Sequence, residues 1–294
     1  MNDYILSCCT TSDLTKEVYD KNDIKYVGCH FFLGDKEYID DLGKTISYKE
    51  FYSKMEQDII TKTSQVNVEQ FIEFFEPFLK QGKDIFHVTL SSGISGTVNS
   101  ANTAKALLEE KYPERKIIII DSLAASTGYG LIMIKLAELR KQGKTMDELQ
   151  IFIEDNKLKL HHWFFSTTLK YYVRGGRVKP IQGFFGTMFK ICPLLNVDYQ
   201  GKLIPREKIR TKKRVITRIV EKMEENADKG LDYDDLVYIS HSNCLEDAKE
   251  VCELVKTKFK KIKDIKIFDI GTTIGSHSGP GTVALFFWGS KRNN

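Results

Sequence analysis

Two stretches of this chain bring hydroxyls, glycines and a histidine together. The first is Leu90-Ser91-Ser92-Gly93-Ile94-Ser95-Gly96-Thr97. An apolar run from Ile85 to Leu90 leads into it, and Val98, Ala101, Ala104, Leu107 and Leu108 follow near helical spacing. The pattern predicts a strand, a hydroxyl-rich glycine turn and a helix. In an open α/β sheet, ligands bind outside the carboxyl ends of the strands. Glycine lets backbone approach a ligand, and the first N–H groups of the helix lack intrahelical partners, which favours an anion. The same residues also suit a plain tight turn with Ser95 or Thr97 as N-cap. The second stretch runs from Gly271 to Thr282 and reads as a loop between two strands. It holds four glycines and one histidine, His277. With so little side chain to pack against, His277 is better read as a ligand contact than as core.

Further hydroxyl clusters, Thr10 to Ser12, Thr63-Ser64 and Ser122, lie at predicted strand ends or helix starts. Parallel strands would bring them to one rim. Several chemistries lack their residues. There is no Gly-x-x-x-x-Gly-Lys-Ser/Thr phosphate loop, no Gly-x-Ser-x-Gly elbow and no His-Glu-x-x-His. His161 and His162 are adjacent, so on a strand they point to opposite faces and do not chelate. The six cysteines, Cys8, Cys9, Cys29, Cys192, Cys244 and Cys252, form no Cys-x-x-Cys pair. Neither a metal site nor a cofactor is expected. A serine hydrolase using Ser92 or Ser95 with His277 stays open, but it needs a base positioned on the serine.

The chain has 294 residues and a net charge of +4, too weak to imply nucleic acid by itself. No run reaches the ~18 apolar residues of a membrane span, and a strand starts almost at once with no signal-peptide pattern before it. A cytoplasmic protein without stable membrane insertion is expected. Strands and helices alternate in the first half: Tyr4–Cys8, Tyr26–Leu33 with a returning arm at Lys36–Ile39, Ile85–Leu90 and Lys116–Ile120 are strands. Ser47 caps a helix, with Glu50 three residues on; another helix, Val68 to Lys80, should kink or end early at Pro77. From His161 the character changes, with a hairpin around Asp198–Gly201 and a last apolar strand, Thr282–Trp288. The expected fold is α/β in two domains: residues 1–160 with a parallel sheet, and residues 161–294 with a mixed sheet, the ligand lying between them.

Taken together, the motifs resemble the DegV family, the fatty-acid-binding subunits of bacterial fatty acid kinase. The resemblance spans nearly the whole length. It rests on Thr-Ser-Asp-Leu at 11–14, Gly-Asp-Lys-Glu-Tyr at 34–38, Thr-Ser-Gln at 63–65, Ser-Ser-Gly-Ile-Ser-Gly-Thr at 91–97 and Asp-Ser-Leu at 121–123. Arg-Gly-Gly-Arg at 174–177, Arg-Thr-Lys-Lys at 210–213 and Ile-Gly-Ser-His-Ser-Gly-Pro-Gly at 274–281 continue it. Two positions depart: Cys9 stands where the family usually has aspartate, and Val66 where proline usually follows Thr-Ser-Gln. The resemblance implies a carrier without catalytic residues of its own. A long-chain fatty acid would lie in an apolar tunnel, its carboxylate on Thr63, Ser64, Ser92 and Gly93 with His277 nearby. Tunnel candidates are Phe164, Phe165, Phe184, Phe185, Met188, Phe189 and Ile191, which otherwise read as ordinary core. A basic face including Arg174, Arg177 and Arg210 is implied to dock the kinase catalytic subunit, which would phosphorylate the head group to an acyl phosphate. The alternatives are the hydrolase and a basic adaptor without lipid; nucleic-acid binding lacks its motifs.

Overall fold

β1 (Tyr4–Cys9) is buried along its whole length, as a strand covered on both faces must be. It opens the computed structural model of the protein, which describes residues 4–180 and 191–293. α1 (Lys16–Lys21), capped by the Thr15 hydroxyl, leads to β2 (Ile24–Val27), parallel to β1. The strand expected from Tyr26 to Leu33 divides at Gly28-Cys29. A Cβ at Gly28 would sit 2.5 Å from Ile39 Cγ2, so only glycine lets the chain pass there. β3 (His30–Leu33) then leaves the first sheet and pairs antiparallel with β4 (Lys36–Ile39).

Ser47 caps α2 (Tyr48–Glu56) by accepting the Glu50 N–H, as expected. The hydroxyl cluster that follows is not a turn but a strand, β5 (Thr61–Ser64), antiparallel to β3 with Thr63 opposite Phe31. Its β-branched threonines, Thr61 and Thr63, stand two residues apart on one face and suit a half-buried strand. α3 (Val68–Lys80) starts with a reciprocal Asn67–Gln70 capping box and runs through Pro77 instead of ending there. Phe71, Phe75 and Leu79 are buried in one apolar cluster with Ile85 and Ala101. Burying that face outweighs the one backbone bond a proline removes.

β6 (Asp84–Thr89), α4 (Thr97–Lys111), β7 (Ile117–Asp121), α5 (Ser126–Lys141) and α6 (Met146–Asn156) complete a parallel sheet of order β2-β1-β6-β7. A six-stranded sheet follows. It is built from β8 (Leu160–Phe165), β9 (Ile191–Val197), β10 (Leu203–Arg210), β11 (Leu236–His241), β12 (Asp264–Asp269) and β13 (Val283–Trp288). Its order is β10-β9-β8-β13-β11-β12, with β11 and β12 parallel and the other pairs antiparallel. The helices among these strands are α7 (Lys170–Arg174), α8 (Lys212–Asn226), α9 (Leu245–Lys258) and α10 (Thr272–Ser278). The fold is thus α/β, with a parallel sheet in the N-terminal part and a mixed sheet in the C-terminal part. α5 packs against β8, β11 and β13, so one helix belongs to the core of both. No helix among the described residues is long and apolar enough to cross a membrane.

The expected loop from 271 to 282 contains α10. Gly271 is its N-cap, and Gly279, at φ 70°, ends it. At Gly275 a Cβ would lie 2.4 Å from the Tyr52 hydroxyl, so this glycine marks close packing and not looseness. Two buried carboxyls sit near the start of α10. Asp40 accepts the Thr273 N–H (3.1 Å) and hydroxyl (2.6 Å), and Asp13 accepts the Ser126 hydroxyl (2.6 Å). Burial pushes Asp13 well above the usual carboxylate range; the Ser126 bond opposes this and the Asp40 charge reinforces it. Burial also raises Asp40, against its bonds from Thr273.

The sign of the resulting pH dependence follows. A carboxyl raised on folding gives its stabilisation fully below the unfolded value near 4, and loses it as pH rises through the folded value. Asp13→Asn keeps an acceptor for Ser126 and removes the charge. Its urea unfolding free energy should equal or exceed that of the wild type at pH 7, and fall less between pH 5 and 8. A variant weaker by more than about 2 kcal/mol at pH 7 would mean that an ionised Asp13 is needed.

Candidate functional site

A cavity of about 380 Å³ is lined by residues of both the N-terminal and the C-terminal parts of the chain. Its lining divides by chemistry. Thr63, Ser64 and Gln65 from β5 and its end, Ser95 and Thr97 at the start of α4, Arg177 after α7, and His277 in the last turn of α10 form a polar end. The remainder is mostly apolar: Leu90, Ile94, Ala125, Phe164, Tyr172, Val197, Leu203, Ile270, Ile274, Ala284 and Phe286, with Cys29, His162 and the hydroxyl residues Ser126, Thr273, Ser278 and Thr282 among them.

The polar end is built around one contact between parts of the chain far apart in sequence. Thr63 Oγ1 and His277 Nε2 are 2.7 Å apart. His277 Nδ1 is buried and has no hydrogen-bond partner among the described residues. A Cβ at Gly175 would lie 2.2 Å from that atom, so glycine there leaves room for the ring. Burial pushes the imidazole down to about 3, and the nearby Arg177 charge acts in the same direction. His277 is therefore neutral at physiological pH. Arg177 Nε donates to Ile94 O (3.2 Å) and Nη1 to Gly175 O (2.7 Å). Burial lowers its pKa, yet a guanidinium stays charged. It has no carboxylate partner among the described residues, so among these it is a positive charge without an ion pair. Ser95 Oγ lies 2.8 Å from Thr97 Oγ1 and accepts the Thr97 N–H. The helix N-cap is Gly96, not Ser95 or Thr97, and it makes no side-chain cap bond.

These positions rearrange the expected site. Thr63, Ser64 and His277 do come together. Ser92 and Gly93 do not line the cavity. Ser92 is exposed with its N–H on Asp121, and Gly93 is pressed against the β9–β10 turn, where a Cβ would meet Gly201 C at 2.5 Å. The turn rotates Ser95 into the place expected of Ser92. Of the tunnel candidates, Phe164 lines the cavity. Phe165, its neighbour on the strand, faces the opposite side and packs with Val215 and Ile219 of α8. Ile191, half-buried at the start of β9, is not in the lining, and Phe184, Phe185, Met188 and Phe189 lie outside the described residues. Among the basic residues, Arg174 and Arg210 are exposed, with Arg174 over the Tyr171 ring, whereas Arg177 turns inward to the site. Gln65, Cys29 and Tyr172 were not anticipated; only the neighbourhood of Thr63 could have pointed to Gln65. Cys9 is buried beside Cys29 and His87, and its hydrogen bond to Cys29, together with burial, holds the thiol protonated. Val66 fills the core beside Cys9 and Phe71.

Comparison with known proteins identifies the family and the fold. The DegV family model, described as "Uncharacterised protein, DegV family", matches residues 10–289. A DegV domain-containing protein of Clostridium perfringens is 36% identical over 292 residues, 99% of each chain. A DegV-family protein of Ruminococcus gnavus, refined with vaccenic acid, is 26% identical with a TM-score of 0.87, covering 97% of this chain and 100% of that one. The Streptococcus pneumoniae Fatty Acid Kinase (Fak) B3 protein, loaded with linoleic acid, shares the fold at 21% identity and a TM-score of 0.83, covering 99% of this chain and 100% of that one. With nearly its whole length matched by the family model and by a relative of equal extent, the chain belongs to the DegV family.

Proposed function

We propose that this chain is a carrier that binds a long-chain fatty acid and presents its carboxyl group to a separate kinase subunit for phosphorylation to an acyl phosphate. The observation that carries the reading is the division of the cavity: hydroxyls, a neutral imidazole and an arginine without a carboxylate partner among the described residues at one end, mostly apolar surface along the rest. A carboxylate leaving water must regain its hydrogen bonds, and Thr63, Ser95, Gln65 and backbone N–H groups are donors placed to supply them. Each methylene of the tail then contributes about 0.8 kcal/mol on burial. The fatty acids bound to the Ruminococcus and Streptococcus proteins support the ligand class, and the description of the latter as a Fatty Acid Kinase (Fak) B3 protein supports the partner.

The hydrolase reading fits the geometry less well. No serine among the described residues hydrogen-bonds His277; its Nε2 meets Thr63, and its Nδ1 has no orienting partner. Ser7 does pair with His87 at 2.9 Å, but both are wholly buried, with Phe71, Phe74 and Phe75 around the ring.

Two predictions follow from this assignment. On delipidated protein, Thr63→Ala and Ser95→Ala should each weaken fatty acid binding tenfold or more by calorimetry, since a bond to a charged group contributes about 1.5–3 kcal/mol. Ser92→Ala should bind like the wild type. If Ser92→Ala loses affinity and Ser95→Ala keeps it, the head group lies elsewhere. The second prediction separates lipid from partner. Arg174→Glu with Arg210→Glu should keep fatty acid affinity and slow kinase-coupled acyl phosphate formation, because neither side chain lines the pocket and exposed charges are screened by water and salt. Arg177→Gln should lose lipid first. Equal lipid loss in the double variant would place those arginines at the pocket.

A further inference from the structure

Beyond β13 lies a buried guanidinium that the polar end of the site does not use. Arg292 is 4% exposed. Its Nη1 donates to the carbonyls of Val197 (3.2 Å) and Asp198 (3.0 Å), and its Nη2 to those of Leu123 (3.0 Å) and Lys157 (3.3 Å). Its own N–H is held by Leu158 O at 2.8 Å. Among the described residues it forms no ion pair, so four carbonyls must offset the cost of burying its charge.

Those carbonyls come from three separate segments: the end of β9 and its turn, the link between β7 and α5, and the turn after α6. The first two are walls of the cavity. Val197 lines it, and Leu123 stands two residues before Ala125, which also lines it. The strand register says which end this is. Phe164 pairs with Ala284 and His162 with Phe286, so His162 and Phe286 lie two residues further from Thr282 and α10 than the first pair. Trp163 pairs with Asn196, which sets Val197 next to His162, and Leu203 pairs with Val197. Arg292 therefore ties together the two walls at the end of the cavity away from His277.

We propose that Arg292 fixes the depth of the cavity, and with it the longest fatty acid the cavity takes. This rests on the fatty-acid reading above. The tail's last methylenes would lie between Val197 and Leu203 on one side and Ala125 on the other. A planar fork bound to carbonyls of both walls holds their spacing, and one ammonium cannot reach the same set. With the tie gone, the walls yield and a longer chain fits. Two more buried methylenes correspond to about a tenfold gain in affinity.

The test measures affinities of delipidated full-length protein for saturated acids of increasing length. The wild type should show a length beyond which affinity falls. In Arg292→Met that limit should move outward by two or more carbons, with the first excluded acid gaining about tenfold relative to the acid two carbons shorter. Arg292→Lys should shift it less. Leu203→Ala, which makes room at the same end with the tie intact, should shift it in the same direction and locates the limit independently. If Arg292→Met does not fold, Arg292→Lys decides. Arg292 variants that lower all affinities by one factor, or leave the limit in place while Leu203→Ala moves it, overturn the proposal. A wild type that binds no acid of any length overturns the fatty-acid reading itself.

Discussion

Everything at the polar end depends on holding α10, a helix too short to persist alone. It is pinned along its length by side chains from residues 40 to 63. Asp40 takes Thr273 at its first turn, and the Tyr52 hydroxyl donates to Ile270 O just before it at 2.7 Å. Thr61 donates to Ser276 O at 3.0 Å, and Thr63 meets His277 in the last turn. The three-stranded sheet β4-β3-β5 supplies the frame for these contacts, although it contributes little to either main core. The same strand, β5, thus anchors the helix through Thr61 and forms the site through Thr63. Positioning and recognition share two residues of one face.

This coupling explains the charge state of the site. His277 is fixed between Thr63 and Gly175, away from water, where protonation would cost desolvation beside Arg177. A neutral ring is the outcome, and its hydrogen bond to Thr63 depends on the tautomer. The cationic character of this end therefore comes from Arg177 alone among the lining residues. That arginine follows a glycine pair whose first member leaves space for His277 and whose second, Gly176 at φ 72°, turns the chain back toward the cavity.

Much of the sheet architecture was legible because burial imposes a period. The largely apolar runs at Ile85–Leu90 and Lys116–Ile120 and the hairpin around Gly201 read directly as strands, as local pattern and tertiary environment agree there. The failures have a common cause. Glycines at 271, 275, 279 and 281 look like a loop, yet Gly275 leaves room for the Tyr52 hydroxyl, whose acceptor Ile270 O is 218 residues away in sequence. Pro77 looks like a helix end until the buried face of α3 is counted. Ser92 and Ser95 are the same residue type three positions apart, and only the turn's path against Gly201 decides which faces the cavity. Phe164 and Phe165 differ by the strand's alternation, which sequence shows only once the direction of the core is known. Arg174 and Arg177 flank the same glycines, and the inward turn belongs to the second.

Under the carrier reading, the way Arg177 is held has a chemical consequence. Its Nε and one Nη1 N–H are committed to two carbonyls, which closes the Nε side of the fork to a carboxylate and leaves the Nη2 end. It acts mainly through its charge, which in a half-buried setting lowers the cost of an anion without fixing each oxygen. Hydroxyls of Thr63 and Ser95 can do the orienting, and as neutral donors they rotate to follow the acceptor. A head group so held keeps a lone pair available for phosphoryl transfer. When the carboxylate becomes an acyl phosphate the negative charge at this end grows, and the same arginine interacts more strongly with it. One unpaired cation with hydroxyls around it therefore suits both the acid that arrives and the acyl phosphate that leaves, whereas a full ion pair would hold the acid in its unreacted form.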